Sequence, residues 1–552
     1  MRDARLTLAV LVLALALPGA ARAQGGDEAP PPARGVLRLL LPPVWGRWDQ
    51  RFGAGTAGRA TGELEPLGVD FLSDSLGVTQ LPFLAPSQSA IQTASGLSAF
   101  AVNLGGSNLQ LNANVRSMPI GFAVGLTSRL SFSVLVPLVR SRVEAFFQRD
   151  TTLATRGNVG WNPAVGTPSQ YTAFRQQVDT ALLALRAQAA SGPAALRAQA
   201  QAALAQLGPF LCNLFALAGG SAAAPTSACY AAVPVSAAPL LPVGTTAAGD
   251  SITTRLRRDS TSYAQLAAQY LGAGVALPAF TAGFALPAAP LTRDDFQQFL
   301  MDSAFGAGGD SLAMVLHTRL GDVQAAATYI LVQRPSWRSL VTATVRLPTG
   351  MVDSPSNFID VGTGDHALGV ELGTRNDIGV GRSFRVVAGG RIGFDAGDQI
   401  YRRISPSQLP IAPFAQLAQV HRSLAGWLAF DVSPTWLVDD AFSLRVRYAY
   451  FNRGVTHYRY VDAGDSARIG LPASVLDAET AERWMRAGAA VTFSTLGRFA
   501  AGRATLPYTL TVGYQNTFWG RGGRTPQASL MYLTFATYFR LWGSGTERAL
   551  ER

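Results

Sequence analysis

The chain has 552 residues, 48% of them apolar and 15% charged, with a formal net charge of +11, and every one of its 46 basic residues is Arg. Beyond the first residues no window reaches the roughly 20 uninterrupted apolar residues of a spanning helix, which excludes a helical membrane anchor. A basic exported chain meets anionic lipid heads or anionic solutes before nucleic acid, so no nucleic-acid partner is expected, and the absence of Lys reads as the bias of a GC-rich genome.

The first 23 residues read as a signal peptide: Arg2 and Arg5 make a basic start, Leu6 to Leu17 an apolar stretch, and Ala21-Arg22-Ala23 a small-residue cleavage site. Its removal lowers the net charge to about +9. Residues 24–35, with Pro30-Pro31-Pro32, read as a mobile leader. The first strand candidate runs from Val36 to Gln50, interrupted by Pro42-Pro43, and a Gly- and Pro-spotted stretch to Gly106 is too long for a hairpin turn.

From Asn108 alternation takes over. Leu109, Leu111, Ala113 and Val115 alternate with Gln110, Asn112, Asn114 and Arg116. After the turn Thr127-Ser128-Arg129, the set Leu130, Phe132, Val134, Val136 and Leu138 marks a lipid-facing side. Further hairpins are expected around Arg334-Pro335-Ser336, Gly379 to Arg382, Pro434 to Asp440 and Leu496 to Thr505. Longer connections lie at 149–321, 351–365, 398–420, 458–482 and 520–527, so short and long connections alternate throughout. A strand with period two shows lipid one face and water the other, and Tyr508 to Gln515 is the cleanest case. The fold class that follows is all-β: a transmembrane antiparallel β-barrel of about 12 strands, within bounds of 10 to 14, occupying 36–542 with a polar tail at 543–552. Short turns then face the periplasm, and the bacterial outer membrane is the expected location.

Residues 149–321 stand out as an α-helical loop insertion. Phe174 to Leu207 is rich in helix formers and broken at Gly192-Pro193, and Thr292 with Asp295 has capping-box spacing ahead of Phe296, Phe299 and Leu300. The insertion is either an extracellular cap or a lumenal plug. Cys212 and Cys229 within it are expected to form a disulfide in an oxidising compartment.

Charge separates between strand faces. Arg at the bilayer midplane facing lipid costs about 2 to 4 kcal/mol, so Arg116, Arg346, Arg385, Arg391, Arg445, Arg447 and Arg486, which stand opposite apolar residues, are expected to point into the lumen. An Arg-lined lumen reads either as a pore for anionic solutes or as a wall braced by Arg pairing with carboxylates. Trp427, Trp436, Tyr508, Trp519, Tyr532, Tyr538 and Trp542 cluster at strand ends and read as interfacial girdles. The four histidines, His317, His366, His421 and His457, are scattered and form no metal motif, so neither an enzyme nor a cofactor is expected. An outer-membrane hydrolase would need a Ser or Asp beside His366 or His457.

Leu126-Thr127-Ser128-Arg129-Leu130 leading to Val136-Pro137-Leu138, and Val345-Arg346-Leu347-Pro348-Thr349-Gly350 followed by Gly362-Thr363-Gly364, resemble the outer-membrane barrels grouped as phenol meta-pathway degradation or transporter-like proteins. These are similar to the long-chain fatty-acid channels, and the resemblance implies passage of hydrophobic molecules past an internal hatch. The Asn-Pro-Ala that those channels carry near their mature N-terminus falls here at Asn162-Pro163-Ala164, inside the insertion, so the hatch does not carry over and neither does any ligand residue. The function expected is passive passage of small hydrophobic or anionic solutes. The partners are outer-membrane lipid, lipopolysaccharide and the solute. The alternative is a barrel that only anchors large partner-binding loops.

Overall fold

The computed structural model describes residues 30–53, 60–150, 157–163, 168–218, 239–268, 277–279, 284–303, 306–407, 409, 411–522 and 525–542. The chain divides into two compact units: 1–70 with 109–146 and 312–552, and 71–108 with 147–311.

The first unit is a closed antiparallel barrel of twelve strands. They are β1 (Val36–Leu41 and Val44–Trp48), β2 (Gly106–Gly125), β3 (Leu130–Asp150), β4 (Val315–Leu320 and Gln324–Arg334), β5 (Trp337–Arg346), β6 (Gly369–Val380), β7 (Phe384–Asp395), β8 (Trp427–Leu437), β9 (Phe442–Arg453), β10 (Glu482–Ser494), β11 (Tyr508–Arg521) and β12 (Ser529–Arg540). Each strand pairs with its sequence neighbours, and both halves of β1 pair with β12, from Val36 opposite Arg540 to Arg47 opposite Ser529, which closes the ring. Closure leaves no unpaired sheet edge for lipid to meet.

Two strands are broken in the middle, each for a local reason. Pro42-Pro43 cannot donate to the ladder and splits β1 where the sequence places it. Gly321-Asp322-Val323 splits β4, whose first half pairs with β3 at Leu138 to Val143 and whose second half pairs at Leu130 to Leu135.

Tight turns alternate with long connections at the two ends, with one inversion. The β10–β11 connection at the short-turn end holds a helical turn, Leu496–Ala500, and is longer than the β11–β12 connection at the opposite end. Thr495 accounts for this compact excursion: its hydroxyl donates to the Leu506 carbonyl (2.6 Å) and accepts from the Tyr508 amide (2.9 Å).

The outer face carries an apolar band: Phe132, Leu138, Val370, Leu372, Ile378, Ile392, Leu444, Val446, Val491, Val512 and Met531 are all large, apolar and exposed. At the short-turn end aromatic rings run across four consecutive strands, Phe442 to Phe493 (5.0 Å), Phe493 to Tyr508 (5.9 Å) and Tyr508 to Phe535 (6.0 Å). Trp436, Trp519 and Trp542 are exposed as girdle residues should be. Trp427, Tyr532 and Tyr538 are not girdle residues: they share parity with inward neighbours such as Ala429 and Ala536. Trp427 joins Phe451 and Trp484 in a buried cluster on β8, β9 and β10, where the last two rings stack at 4.5 Å.

The second unit is largely helical, with α1 (Ala85–Ser95), α2 (Pro168–Ser191), α3 (Ala194–Ala218), α4 (Ala247–Ala267) and α5 (Arg293–Met301). Gly192-Pro193 separates α2 from α3, and Thr292 with Asp295 forms a reciprocal capping box on α5. Tyr263 of α4 ties the helices together, lying 4.9 Å from the Phe210 ring and donating to the Pro278 carbonyl at 2.6 Å. Cys229 lies outside the described residues and Cys212 is described in backbone only. No helix of the described residues is long and apolar enough to cross a membrane.

Candidate functional site: the barrel lumen

The inward faces of β1 and β3 to β9, with Gly121 to Ala123 of β2, enclose a cavity of about 240 Å³. Its lining is mixed: Leu40, Val134, Leu135, Leu340 and Val387 stand among hydroxyl and charged side chains, because inward positions of a closed strand meet water and one another rather than lipid and so admit polar residues. Ser131, Ser133, Thr328, Thr342, Thr344 and Ser433 supply hydroxyls, and Thr328 bonds Thr342 at 3.0 Å. Charge comes from Arg38, Arg375, Arg391, Arg445 and Arg447 against two carboxylates, Glu371 and Asp431.

A second cavity of about 300 Å³ lies toward the long-loop end, sharing Leu135 and Gln324 with the first. Its lining differs: Asp322, Asp353, Asp360 and Asp365 face Arg346 and Arg422. Most of these acids belong to the β5–β6 connection (347–368), which folds inward. Asp322, in the break of β4, holds this loop by accepting the Gly350 amide on Oδ1 and the Asp365 amide on Oδ2, each at 2.9 Å. Gly364 is required there, since a Cβ would stand 2.7 Å from the Asp322 carboxylate. Thr349 completes the grip, donating to the Gly321 carbonyl (2.6 Å) while accepting the Val323 amide (2.9 Å).

Between the cavities stands a four-membered ion cluster. Asp395 of β7, almost fully buried, bonds Arg346 of β5 and Arg453 of β9 (2.8 Å), and Asp365 of the loop lies 3.3 Å and 3.6 Å from the same two guanidiniums. Because both guanidiniums also reach Asp395 on β7, midway between β5 and β9, Asp365 ties the loop to one wall of the lumen over a span of four strands.

The long-loop end has a roof of its own. Asp398–Arg403, Leu417–Ser423 and His457–Tyr460 form a three-stranded sheet over a small core of Ile400, Ile404, Ala418, Val420 and Ala473. Three arginines bind this roof to the inward loop: Arg402 to Asp353 (2.5 Å), Arg403 to the Pro355 carbonyl (2.6 Å) and Arg422 to the Asp365 carbonyl (2.6 Å). Burial works against the charged form of Arg402, but the Asp353 carboxylate outweighs it and raises the guanidinium above its ordinary range. Arg422 is raised in the same way against burial, by the hydrogen bonds and charge of Asp398.

Six of the arginines that strand phase points inward lie on inward faces, in four different settings. Arg391, Arg445 and Arg447 line the Arg-rich cavity, Arg346 belongs to the ion cluster, and Arg385 sits nearer the short turns, 3.2 Å from Asp377. Arg486 is buried over the Trp484 ring at 4.2 Å and donates to Thr517. Several have carboxylate partners, Arg391 with Glu371 (3.4 Å) and Arg447 with Asp431 (3.7 Å), so bracing and lumenal charge coexist in the same residues.

Arg116 is a correction. It is exposed on the face of Met118, Ile120 and Phe122, while Leu109, Ala113, Val115 and Ser117 point inward. In this half of β2 the apolar residues fill the inside and the polar ones face out, the reverse of the membrane band, so opposition to apolar neighbours misassigns it. Arg38, Arg375 and Arg453 escaped the reading although each carries the same signal as Arg346, an Arg on the face opposite the outward residues of its strand.

The histidines hold loops. His317 lies 3.2 Å from Asp360, His366 Nδ1 is 2.8 Å from the Gly350 carbonyl, and His457 Nδ1 is 2.7 Å from Asp477. The last pair has the His-Asp spacing that a hydrolase would use. Asp477 also accepts the Tyr458 amide (2.8 Å), and among the described residues no hydroxyl or thiol is hydrogen-bonded to the His457 ring. The described residues contain no cluster of metal-ligating side chains.

No family model matches the chain, and no curated protein matches it in sequence. Among solved structures it is similar to an outer membrane channel from Pseudomonas putida F1, at 9% identity and a TM-score of 0.40 over 93% of this chain and 98% of that one. It is also similar to a toluene transporter from Ralstonia pickettii (9% identity, TM-score 0.28, 92% and 90% covered) and to a FadL homologue from Pseudomonas aeruginosa (8%, 0.26, 96% and 100%). At such identities the fold stands on its own strand pairing: a closed ring of twelve antiparallel strands, apolar outside and polar within, is a bacterial outer-membrane β-barrel.

Proposed function

We propose that the protein is a gated outer-membrane channel for small anionic solutes, with the inward β5–β6 loop as its gate. The observation that carries this reading is the cavity whose lining, among the described residues, holds five arginines, Arg38, Arg375, Arg391, Arg445 and Arg447, beside two carboxylates, Glu371 and Asp431. A solute carboxylate or phosphate would exchange its water for guanidinium and hydroxyl donors fixed on rigid strands, and it would leave again because no donor set encloses it fully. The excess of guanidiniums over carboxylates on the lining favours an anionic group on the solute, and the apolar side chains between them leave room for a hydrophobic part. No covalent step and no cofactor enter this mechanism.

The test is ion selectivity in a planar bilayer under a salt gradient. The reversal potential should report anion over cation preference, falling as ionic strength rises and the wall charges are screened. Arg445→Ala with Arg447→Ala should reduce the preference while the barrel stays folded. Cation selectivity, or no effect of the double substitution, refutes the reading. A rival draws on the roof sheet and its separate core: a barrel that anchors a binding surface would conduct nothing under any loop substitution.

A further inference from the structure

Arg116, displaced from the lumen, does not stand alone on the outer wall. Arg47 of β1 and Arg140 and Arg142 of β3 are exposed on the same outward face. Trp45 pairs with Arg116 and Arg47 with Asn114, so Arg47 and Arg116 are diagonal neighbours, roughly 7 Å apart. Counting back from the Leu126 to Leu130 hydrogen bond sets Arg116 level with Arg140 on the adjoining strand. Arg142 is paired with Glu144 at 2.6 Å. Among the described residues Arg47, Arg116 and Arg140 have no ion pair. Three uncompensated like charges on three adjacent strands repel one another unless an anion lies among them.

Their height matters. From Leu126 to Arg116 is ten residues, about 33 Å of strand, which at a tilt near 40° rises about 25 Å, the height of a barrel's apolar band. Below that level the outward residues of β2 and β3 include Phe122, Ile120, Met118, Phe132 and Leu138, all exposed. The arginines therefore begin where the acyl chains end. Leu316, also exposed, pairs with Arg142, and exposed Phe146 lies four residues further along β3, so apolar side chains flank the charges on this face. A free anion would use the guanidiniums alone, whereas a phosphorylated lipid uses both the charges and the apolar rim.

With the long loops facing the cell exterior, the leaflet at this height is the lipopolysaccharide leaflet. We infer that Arg47, Arg116 and Arg140 form a docking site for the phosphates of lipid A. This goes beyond the channel reading and does not rest on it.

Native mass spectrometry of the full chain in detergent, titrated with bisphosphorylated lipid A and with its phosphate-free counterpart, tests the site. The wild-type barrel should retain the bisphosphorylated lipid at a concentration about thirty-fold lower or more, the preference expected when two or three arginines face phosphate near a surface. Arg116→Gln should weaken that preference, and the triple change Arg47→Gln, Arg116→Gln, Arg140→Gln should abolish it. Arg503→Gln at the opposite end, where Arg503 lies 3.5 Å from Asp440, should leave it intact. Equal retention of the two lipids by the wild type overturns the inference whether or not the variants fold. Displacement of bound lipid A by inorganic phosphate at equal concentration would also overturn it, by assigning a site for free anions. Conductance is not read in this experiment, so an inactive channel with an intact lipid preference leaves the inference standing.

Discussion

The two lumenal cavities are similar in size and opposite in construction. The one toward the short turns is walled by strands apart from Pro31 ahead of β1, and its charge is arginine held on a closed ladder. The one toward the long loops is half built from a connection that folds inward, and its carboxylates, Asp353, Asp360 and Asp365, ride on that connection. Charge on a ladder cannot move without breaking the barrel, whereas charge on a loop moves with a handful of hydrogen bonds. In the proposed channel the difference would place selectivity on the wall and gating on the loop.

The comparison breaks first if the barrel is inverted, because the gate would then face the periplasm. A cysteine at Ala467, exposed in the β9–β10 connection, should react with an impermeant maleimide on intact cells, and one at Ser336 in the β4–β5 turn should not. The opposite labelling pattern would reverse the two roles. Gating is tested next at Asp322. Asp322→Ala leaves the Gly350 and Asp365 amides without their acceptor, a loss of about 1 to 3 kcal/mol per donor, enough to raise the open fraction roughly ten-fold or more. Single-channel records should show that rise with unaltered ion selectivity. A selectivity change as large as that of the Arg445 and Arg447 substitutions would mean that loop and wall are not separable.

A smaller effect is expected between the cavities. Asp395→Asn removes the buried charge shared by Arg346 and Arg453, leaving Asp365 as their remaining carboxylate. The barrel should lose about 3 kcal/mol, the usual consequence of breaking a buried pair, and its anion preference should increase. Urea unfolding in lipid vesicles together with reversal potentials measures both. Stability without change would make the cluster incidental.

How much of this was legible in the sequence follows from which side chains have a neighbour of fixed kind. Along the membrane band, lipid outside and water inside impose a strict period of two, and Phe384 to Asp395 or Phe442 to Tyr450 can be assigned by parity alone. Both broken strands leave signals, Pro42-Pro43 plainly and Gly321-Asp322 only in hindsight. Above the band the outer face meets headgroups and solvent, the rule inverts, and Arg116 is misread together with Trp427. In the sequence the inward loop and the roof sheet read only as connections, because their order rests on contacts distant in sequence, Arg402 to Asp353 and Arg422 to Asp365. The helix α4 was missed although Thr246 caps it and Ile252, Leu256, Tyr263 and Leu266 keep helical spacing.

The smallest effect belongs at the short-turn end, where nothing in the comparison predicts gating or selectivity. Asp439 in the β8–β9 turn accepts the Ala441 amide (2.6 Å) and the Phe442 amide (2.8 Å), and these two bonds, in that order, hold its carboxyl below the usual carboxylate range. A depressed folded-state pKa contributes stability above the unfolded value of about 4 and loses it as pH falls through the folded one. Wild type should therefore exceed Asp439→Asn slightly in Tm at pH 7, and the gap should close progressively on acidification below about pH 4. Because the side chain is exposed, the gap is expected to be small, yet its direction with pH is fixed by the two amides. A gap that widens as the pH falls would mean that the carboxylate destabilises the turn, and conductance that followed Asp439 would place a gating element at the end of the barrel where only wall residues have been assigned.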